Sequence, residues 1–375
     1  MDLREGALEN VVDQWRGRRV FLTGHTGFKG GWLALWLARR GAQIRGYALD
    51  PLTEPNLFTA ASVATVLDDI RGDIRGDIRD GAQLESAMTE FRPEVVFHLA
   101  AQPLVRRSYA DPLGTYSTNV MGTAHVLEAV RKTSSVRAVV CVTSDKCYQN
   151  QEWDRPYRET DTLGGFDPYS SSKACAEIVC SAYRSSFFPA DRLDEHRVAL
   201  ATARAGNVIG GGDWSEDRLI PDLVRGFQAG QPVLIRHPKA VRPWQHVLES
   251  LNGYVLLAEK LLDLGSSGAP AQFCSAFNFG PSDEDAWPVE RIATKLAEMW
   301  GGEATWIRDS IPGAHEHHSL TLDSSKAREQ LGWQPRLGIE ATLEWTLKWY
   351  RDWQQGADMN QATLAQIAEF EQLSN

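Results

Sequence analysis

The chain has few cysteines and no long apolar segment, and each scarcity argues against a class of protein. Its 375 residues include only 5 cysteines. This odd number, without the spacing of metal ligands, argues against a disulfide-stapled secreted domain and favours reduced thiols in a cytosolic protein. The longest unbroken apolar run covers residues 32–38, far fewer than the ~20 that a membrane-spanning helix needs. Residues 1–10 are acidic and lack the basic and then apolar pattern of a secretory signal, so we expect a soluble, cytoplasmic protein.

Positive charge is also scarce. Lysine and arginine total 39 against 49 aspartates and glutamates, which gives a formal net charge of −10. This balance argues against a nucleic-acid-binding protein, which usually carries a basic face. The composition is otherwise ordinary for a globular protein, with 43% hydrophobic and 23% charged residues, and we expect an enzyme.

Short apolar runs alternate with helical patterns through the first half of the chain. Residues 18–23 predict a buried strand, residues 31–40 a helix and residues 44–49 a second strand, which together form the building block of a parallel sheet. Further strands are predicted at 94–100, 137–143 and 197–204, with helices over 118–132 and 169–187. The pattern predicts an α/β fold built on a Rossmann-type doubly wound parallel sheet.

The amino-acid composition changes near Asn207, where glycine, proline and aromatic residues become frequent. We therefore expect a smaller C-terminal α/β region that binds the substrate. The predicted boundaries are a sheet domain at 16–206 with a return segment near 244–282, the smaller domain at 207–243 and 283–355, and a helical tail at 356–375.

A glycine-rich turn lies between the first predicted strand and helix, with Gly24, Gly27 and Gly30 spaced three apart. Glycines at such a turn let backbone N–H groups approach a pyrophosphate at the start of the helix. Asp50 closes the next strand, where a carboxylate binds the adenosine ribose and repels a 2′-phosphate. The segment predicts a dinucleotide site that prefers NAD to NADP.

Tyr169 and Lys173 lie four residues apart in a predicted helix and therefore share one face. A lysine ammonium near the phenol, together with a bound NAD⁺, is expected to lower the tyrosine pKa towards neutrality. The pair predicts a tyrosine that acts as an acid–base catalyst.

These motifs together resemble the extended short-chain dehydrogenase/reductase superfamily, and the resemblance continues over most of the chain. Within it, an acidic Asp-Glu pair marks the dTDP- and GDP-linked nucleotide-sugar 4,6-dehydratases, whereas this chain has Asp145 and Lys146. The segments 23–32, 101–105 and 144–148 resemble the branch of 4,6-dehydratases that acts on CDP-D-glucose.

The resemblance implies that NAD is the cofactor and which residues contact it. The tandem Arg-Gly-Asp-Ile repeat leaves two registers for the adenine contact, Asp77 with Ile78 or Asp73 with Ile74. The expected NAD-binding residues are Gly24, Thr26, Gly27, Phe28, Lys29, Gly30, Asp50, Asp77, Ile78, Leu99, Ala100, Ala101, Gln102, Asn119, Tyr169 and Lys173.

The resemblance also implies a reaction with catalytic residues Ser144, Asp145, Lys146, Tyr169 and Lys173. Ser144 binds the sugar C4 hydroxyl, and Tyr169 takes its proton while hydride passes from C4 to NAD⁺. Asp145 protonates the departing C6 hydroxyl, Lys146 is the candidate base at C5, and hydride returns to C6. The product is CDP-4-keto-6-deoxy-D-glucose. A solvated Asp145–Lys146 ion pair and a different C5 base are open alternatives.

On the substrate side, the resemblance implies contacts from Ser144, Asn207, Arg218, Arg242 and His315. Planar guanidinium groups suit a diphosphate because they donate two parallel hydrogen bonds. A surface salt bridge is the alternative for either arginine. Three histidines at 315, 317 and 318 suggest a metal site, but the reaction needs no metal and we expect none.

Family context implies a homodimer or higher homo-oligomer that pairs through residues 118–132 and 169–187, and a role in bacterial O-antigen synthesis leading to 3,6-dideoxyhexoses. The alternatives are another nucleotide-sugar 4,6-dehydratase, a 4-epimerase, or a non-catalytic NAD-sensing protein. An epimerase would not need Asp145 and Lys146.

Overall fold

A seven-stranded parallel sheet lies at the centre of the computed structural model, which describes residues 14–263, 269–309 and 320–373. The strands are β1 (Arg19–Thr23), β2 (Gln43–Ala48), β3 (Asp68–Arg71), β4 (Val95–His98), β5 (Ala138–Val142), β6 (Ala199–Arg204), β7 (Val208–Ile209), β8 (Val233–Ile235), β9 (Val241–Pro243), β10 (Gln245–His246), β11 (Ala276–Asn278), β12 (Ala286–Pro288) and β13 (Trp306–Arg308).

The order of the strands in the sheet is β11-β6-β5-β4-β1-β2-β3, and every neighbouring pair is parallel. The chain therefore winds outwards in both directions from β1 and β4. Such a switch point leaves a crevice at the carboxyl ends of the strands, where ligands bind in open α/β sheets. The predicted doubly wound sheet is confirmed.

Helices cover both faces of the sheet. They are α1 (Phe28–Arg39), α2 (Leu57–Ala60), α3 (Gly81–Phe91), α4 (Val105–Ala110), α5 (Pro112–Tyr116), α6 (Gly122–Lys132), α7 (Pro168–Ser186), α8 (Leu193–His196), α9 (Leu219–Gln228), α10 (Val247–Leu262), α11 (Ala269–Phe273), α12 (Val289–Trp300), α13 (Ser325–Leu331), α14 (Ile339–Gln354) and α15 (Met359–Gln372). None of the helices in the described ranges is both long and apolar enough to cross a membrane.

Alternate residues of the strands enter two different cores. Val20 and Leu22 of β1 pack with α1 and α10 on one face, whereas Phe21 packs with α3 and α6 on the other. All three side chains are fully buried. Each contributes about 1.5–3 kcal/mol by removal from water, which is why these strands are apolar at nearly every position.

The smaller region carries β8 paired with β13 and β9 paired with β12, together with α9, α12 and α14. Trp349 of α14 is fully buried, and its ring lies 5.5 Å from that of Trp214. The tryptophans of this helix therefore include core residues. The tail helix α15 packs back on α1, where the Trp36 indole donates to Glu371 at 2.8 Å.

The observed elements differ from the predicted ones in two places. Helix α1 begins at Phe28, inside the glycine turn, rather than at residue 31. The predicted helix at 118–132 begins as a π-helical turn, Ser117–Met121, and only then continues as α6. The edge strands β3 and β11 are short, and they are strands only because they pair with their neighbours in the sheet.

Candidate active site

A cleft of about 660 Å³ opens at the switch point between β1 and β4. One wall consists of the turns that follow β1, β2, β4, β5 and β6, and the facing wall consists of residues from 206–222 and 233–242. The cleft thus lies between the parallel sheet and the smaller region.

The glycine turn at the floor of the cleft tolerates no side chain at two positions. Gly24 has φ of +81°, and a Cβ there would lie 2.7 Å from the Ala100 nitrogen. A Cβ on Gly30 would lie 2.1 Å from the Gly24 carbonyl oxygen. Because Gly27 caps α1 without a side-chain hydrogen bond, the N–H groups of the first turn are available to an anion. This cradle fits the pyrophosphate of a dinucleotide.

The far end of the cleft is lined by Asp50, Asp77 and Ile78. Ile78 is 3% exposed, whereas Ile74 of the neighbouring repeat is 80% exposed. Of the two registers that the repeat leaves open, the structure therefore places Asp77 and Ile78 in the wall.

Leu99, Ala100 and Ala101 after β4 also line the cleft, but Gln102 and Asn119 lie behind this wall. The Asn119 amide accepts from the Gln102 backbone N–H at 2.8 Å and donates to the Gln102 carbonyl at 3.1 Å. It also donates to the Ser172 hydroxyl at 2.8 Å. The geometry gives these two residues a supporting position rather than a place in the cavity wall.

Five predicted catalytic side chains meet where β5 and α7 face the cleft: Ser144, Asp145, Lys146, Tyr169 and Lys173. Lys146 is half-buried, and the other four are almost completely buried. The Ser144 hydroxyl donates to Asp145 at 2.9 Å, and its proximity to the Tyr169 phenol lowers the pKa of that phenol. The cluster therefore places a phenol, a hydroxyl and a carboxyl in one row.

Asp145 lies directly against the backbone of Gly206, which follows β6. A Cβ at Gly206 would lie 1.9 Å from the Asp145 Oδ2 atom, so only glycine leaves room for the carboxyl group. Asp145 is 3% exposed, and its carboxyl group accepts a hydrogen bond from the Ser144 hydroxyl. The burial of Asp145 does not fit the alternative of a solvated ion pair.

Burial sets the protonation of the Tyr–Lys pair. It raises the pKa of Tyr169 to about 12, with partial compensation by the Ser144 hydrogen bond, and it lowers the pKa of Lys173 to about 8. Among the protein's own groups removal from water dominates, and the expected lowering of the tyrosine pKa by Lys173 together with a bound NAD⁺ stays a prediction.

Lys29 carries a half-buried amine that the sequence did not mark as unusual. Burial, and then the nearby charges of Arg218 and Lys173, lower its pKa to about 7. Its Nζ atom donates to the Tyr254 hydroxyl at 3.3 Å. The available signal was its position, a lysine in a helix whose following residues are almost all apolar.

The predicted substrate residues Asn207, Arg218 and Arg242 line the facing wall. Arg218 also donates to Asp213 at 3.2 Å, so the salt-bridge alternative and a place in the cleft both hold for it. Arg242 is 7% exposed. The predicted residue His315 lies outside the described residues. In the described part of the chain, no cluster of His, Cys, Asp or Glu has the arrangement of a metal site.

A doubly wound sheet whose glycine turn and buried Tyr–Lys pair open on one cleft is the architecture of the short-chain dehydrogenases/reductases. A family model described as GDP-mannose 4,6 dehydratase matches residues 21–346. The chain belongs to this family, within the extended short-chain dehydrogenase/reductase superfamily, which confirms the predicted family.

Two relatives and two solved structures are similar to this chain over most of its length. A CDP-glucose 4,6-dehydratase of Salmonella typhimurium (strain LT2) is 52% identical over 95% of this chain and 97% of its own length. A dTDP-glucose 4,6-dehydratase of Xanthomonas campestris pv. campestris is 28% identical over 89% of this chain and 94% of its own length. MoeE5 in complex with UDP-glucose and NAD is 26% identical, with a TM-score of 0.72 over 90% of this chain and 99% of that one. The dTDP-glucose 4,6-dehydratase DesIV of Streptomyces venezuelae shares the fold, at 22% identity and a TM-score of 0.73 over 91% of this chain and 99% of that one.

Proposed function

We propose that the chain is a hydro-lyase that converts CDP-D-glucose to CDP-4-keto-6-deoxy-D-glucose and water. The observation that carries this proposal is the 52% identity, over nearly the whole chain, to a CDP-glucose 4,6-dehydratase. The geometry agrees with it, because Asp145 and Lys146 line the same cleft as Ser144, Tyr169 and Lys173. An epimerase uses only the latter three groups.

NAD is the cofactor, as predicted, and when bound it supplies the acceptor for the C4 hydride and the donor that returns hydride to C6. The cradle of Gly24, Gly27 and Gly30 would hold its pyrophosphate, and Asp50 would hold the adenosine ribose. Asp77 and Ile78 would contact the adenine.

Tyr169 takes the proton of the C4 hydroxyl, which Ser144 orients by a hydrogen bond. A phenol with a pKa of about 12 is almost fully protonated near neutral pH and cannot then take a proton. Tyr169 must therefore be ionised, and its phenolate must be stabilised by neighbouring positive charge. Lys173, one turn further along α7, is the protein's cation nearest in sequence to supply it.

Asp145 and Lys146 carry out the elimination of water. The C4 ketone acidifies the C5 proton, which the neutral Lys146 amine removes, while the protonated Asp145 carboxyl donates its proton to the departing C6 hydroxyl. The hydrogen bond from Ser144 keeps the Asp145 carboxyl within the catalytic row. Lys146 then returns the abstracted proton to C5 as hydride adds to C6, so the cycle ends with one additional proton on Tyr169 and one fewer on Asp145, which has passed its proton to the released water.

Asn207, Arg218 and Arg242 hold the sugar diphosphate, and their position in the wall facing the sheet supports this assignment. Two guanidinium groups compensate for the net charge of −10 when an anionic substrate binds. A substrate contact from His315, which lies outside the described residues, belongs to the same proposal.

The test is a substrate panel on purified protein. CDP-glucose, dTDP-glucose, UDP-glucose and GDP-mannose are incubated separately, and the products are analysed by mass spectrometry. Loss of one water from CDP-glucose, without net formation of NADH, is the expected result. Loss of water from a different nucleotide sugar would overturn the base preference, and unchanged masses throughout would overturn the dehydratase assignment.

We also propose that the enzyme works in the cytoplasm, in a pathway of bacterial O-antigen dideoxyhexoses, as a homodimer formed through α6 and α7. Exposed apolar side chains support this dimer surface: Met121, Ile178 and Phe187 are 51%, 55% and 46% exposed on or beside these helices. Light scattering of Ile178→Glu should show a smaller particle than the wild type. An unchanged mass would place the interface elsewhere.

A further inference from the structure

A glutamate–arginine pair is buried beneath the catalytic cluster. Glu177 of α7 and Arg204 of β6 are 2% and 3% exposed, and the Arg204 Nη2 atom donates to Glu177 Oε2 at 2.8 Å. Glu177 also accepts from the hydroxyl groups of Thr143 at 2.5 Å and Thr202 at 2.8 Å. The carboxylate is thus held by three donors, two on β6 and one at the end of β5.

The same guanidinium group reaches a second partner. The Arg204 Nη1 atom donates to the Tyr148 hydroxyl at 2.8 Å, and the guanidinium lies 5.0 Å from the centre of the Tyr148 ring. Tyr148 in turn donates to the Asn278 side chain of β11 at 2.7 Å. We call Glu177, Arg204 and Tyr148 the buried bridge.

The two ends of the buried bridge lie next to two different groups of catalytic residues. Glu177 is close to the group that removes the C4 proton, and Tyr148 is close to the group that eliminates water. Glu177 lies one turn after Lys173 and two turns after Tyr169 on α7, so all three share one helix face. Tyr148 directly follows the short helical turn Asp145–Cys147.

Stability alone is a poor reason for this arrangement. A buried ion pair loses much of its attraction to the desolvation of both charges, and well-packed apolar residues often serve a core equally well. The directional hydrogen bonds of a guanidinium group instead fix the positions of its partners.

Resting on the proposed function, we propose that the buried bridge positions the elimination pair, Asp145 and Lys146, relative to the oxidation pair, Tyr169 and Lys173. Glu177 and Arg204 lie outside the cleft lining, and Tyr148 lines the cleft with its hydroxyl group bonded to Arg204 and Asn278, so all three act through the reacting groups as positioning residues. Their loss should change the ratio of the two half-reactions and not merely the overall rate.

Glu177→Gln keeps the shape of the side chain but removes the charge opposite Arg204, and Tyr148→Phe removes only the hydroxyl between Arg204 and Asn278. Hydride transfer is followed in a stopped-flow experiment by the absorbance of enzyme-bound NADH, and elimination by water loss and by solvent deuterium at C5. Because a misplacement of ~1 Å can cost on the order of 10²-fold, we expect elimination to fall by about tenfold or more while hydride transfer stays within about threefold. Bound NADH should then accumulate.

Glu249→Gln is the matched control. Glu249 is also a fully buried glutamate, but it accepts hydrogen bonds from the backbone of residues 336 and 337, away from the cleft lining. We expect this variant to keep the wild-type ratio of the two half-reactions even if its melting temperature falls.

Equal slowing of both half-reactions in Glu177→Gln and Tyr148→Phe, or the same change of ratio in Glu249→Gln, would overturn the proposal in favour of a purely structural role. If Glu177→Gln does not fold, Tyr148→Phe alone decides. Failure of the proposed function is separate: the wild type would then not lose water from CDP-glucose, and the ratio would be measured on the sugar that it does dehydrate.

Discussion

The contact between Gly206 and Asp145 allows one catalytic group to be displaced without changing its chemistry. In Gly206→Ala, the new Cβ would lie 1.9 Å from Asp145 Oδ2, whereas real Cβ atoms essentially never approach another atom within 3.0 Å. The carboxyl group or the loop must therefore move by at least 3.0 − 1.9 = 1.1 Å. Gly206 does not have a positive φ, so the substitution adds no backbone strain.

A displacement of this size should slow the elimination of water specifically. A misplacement of ~1 Å can cost on the order of 10²-fold in rate, which corresponds to about 3 kcal/mol of transition-state stabilisation. In the proposed mechanism, hydride transfer from C4 depends on Ser144 and Tyr169, and it should be affected far less. We therefore expect water loss to fall by about 10²-fold while enzyme-bound NADH still forms.

The assay measures NADH absorbance and product mass on the same CDP-glucose reaction. Gly338→Ala is the matched control, because a Cβ there meets only Asp285 at an ordinary distance of 3.7 Å and Gly338 is not part of the cleft lining. Wild-type rates of water loss in Gly206→Ala would refute the assignment of Asp145 as the acid at C6.

Three further predictions concern individual side chains. Tyr169→Phe should lose about 10²–10⁴-fold in turnover but still retain NAD, and unaltered turnover would exclude Tyr169 as the base. Asp145→Asn should form bound NADH from CDP-glucose without losing water; water loss at the wild-type rate would contradict its role. Burial raises the pKa of Glu249 from 4.5 to about 7, so the folded state binds the extra proton between these values and stability falls as the pH rises through them. Urea unfolding should show a decline of about 3 kcal/mol over this range that Glu249→Gln lacks, and identical pH profiles would contradict the assignment.

Much of the fold and of the site follows from local sequence patterns. The buried strands β1, β4, β5 and β6 are apolar at most positions, because both faces of a parallel sheet are covered. The turn at Gly24 and the four-residue spacing of Tyr169 and Lys173 are equally local, since a turn and one helix face involve only a few neighbouring residues. Such local patterns are sufficient to predict the glycine turn and the Tyr169–Lys173 pair, to which the proposed mechanism assigns the oxidation at C4.

Contacts between distant segments were decided by tertiary packing alone. The spacing between Glu177 and Arg204 carries no periodic signal, and neither does the contact of Gly206 with Asp145. No periodic signal marks the position of Asn119 behind the cleft wall, or the presence of Asp77 rather than Asp73 in that wall.

The physical reason is that short-range sterics and the periodic burial of a helix or strand depend on residues that are adjacent in sequence. The desolvation of an ionisable group depends instead on everything that surrounds it in space. Lys29, Lys173 and Tyr169 have ordinary intrinsic pKa values, and burial in the folded cleft is the largest cause of their shifts. The sequence by itself determined which chemical groups the enzyme has and on which elements they lie. Tertiary structure decided how far apart these groups are, which of them are charged, and which buried partners hold them in place.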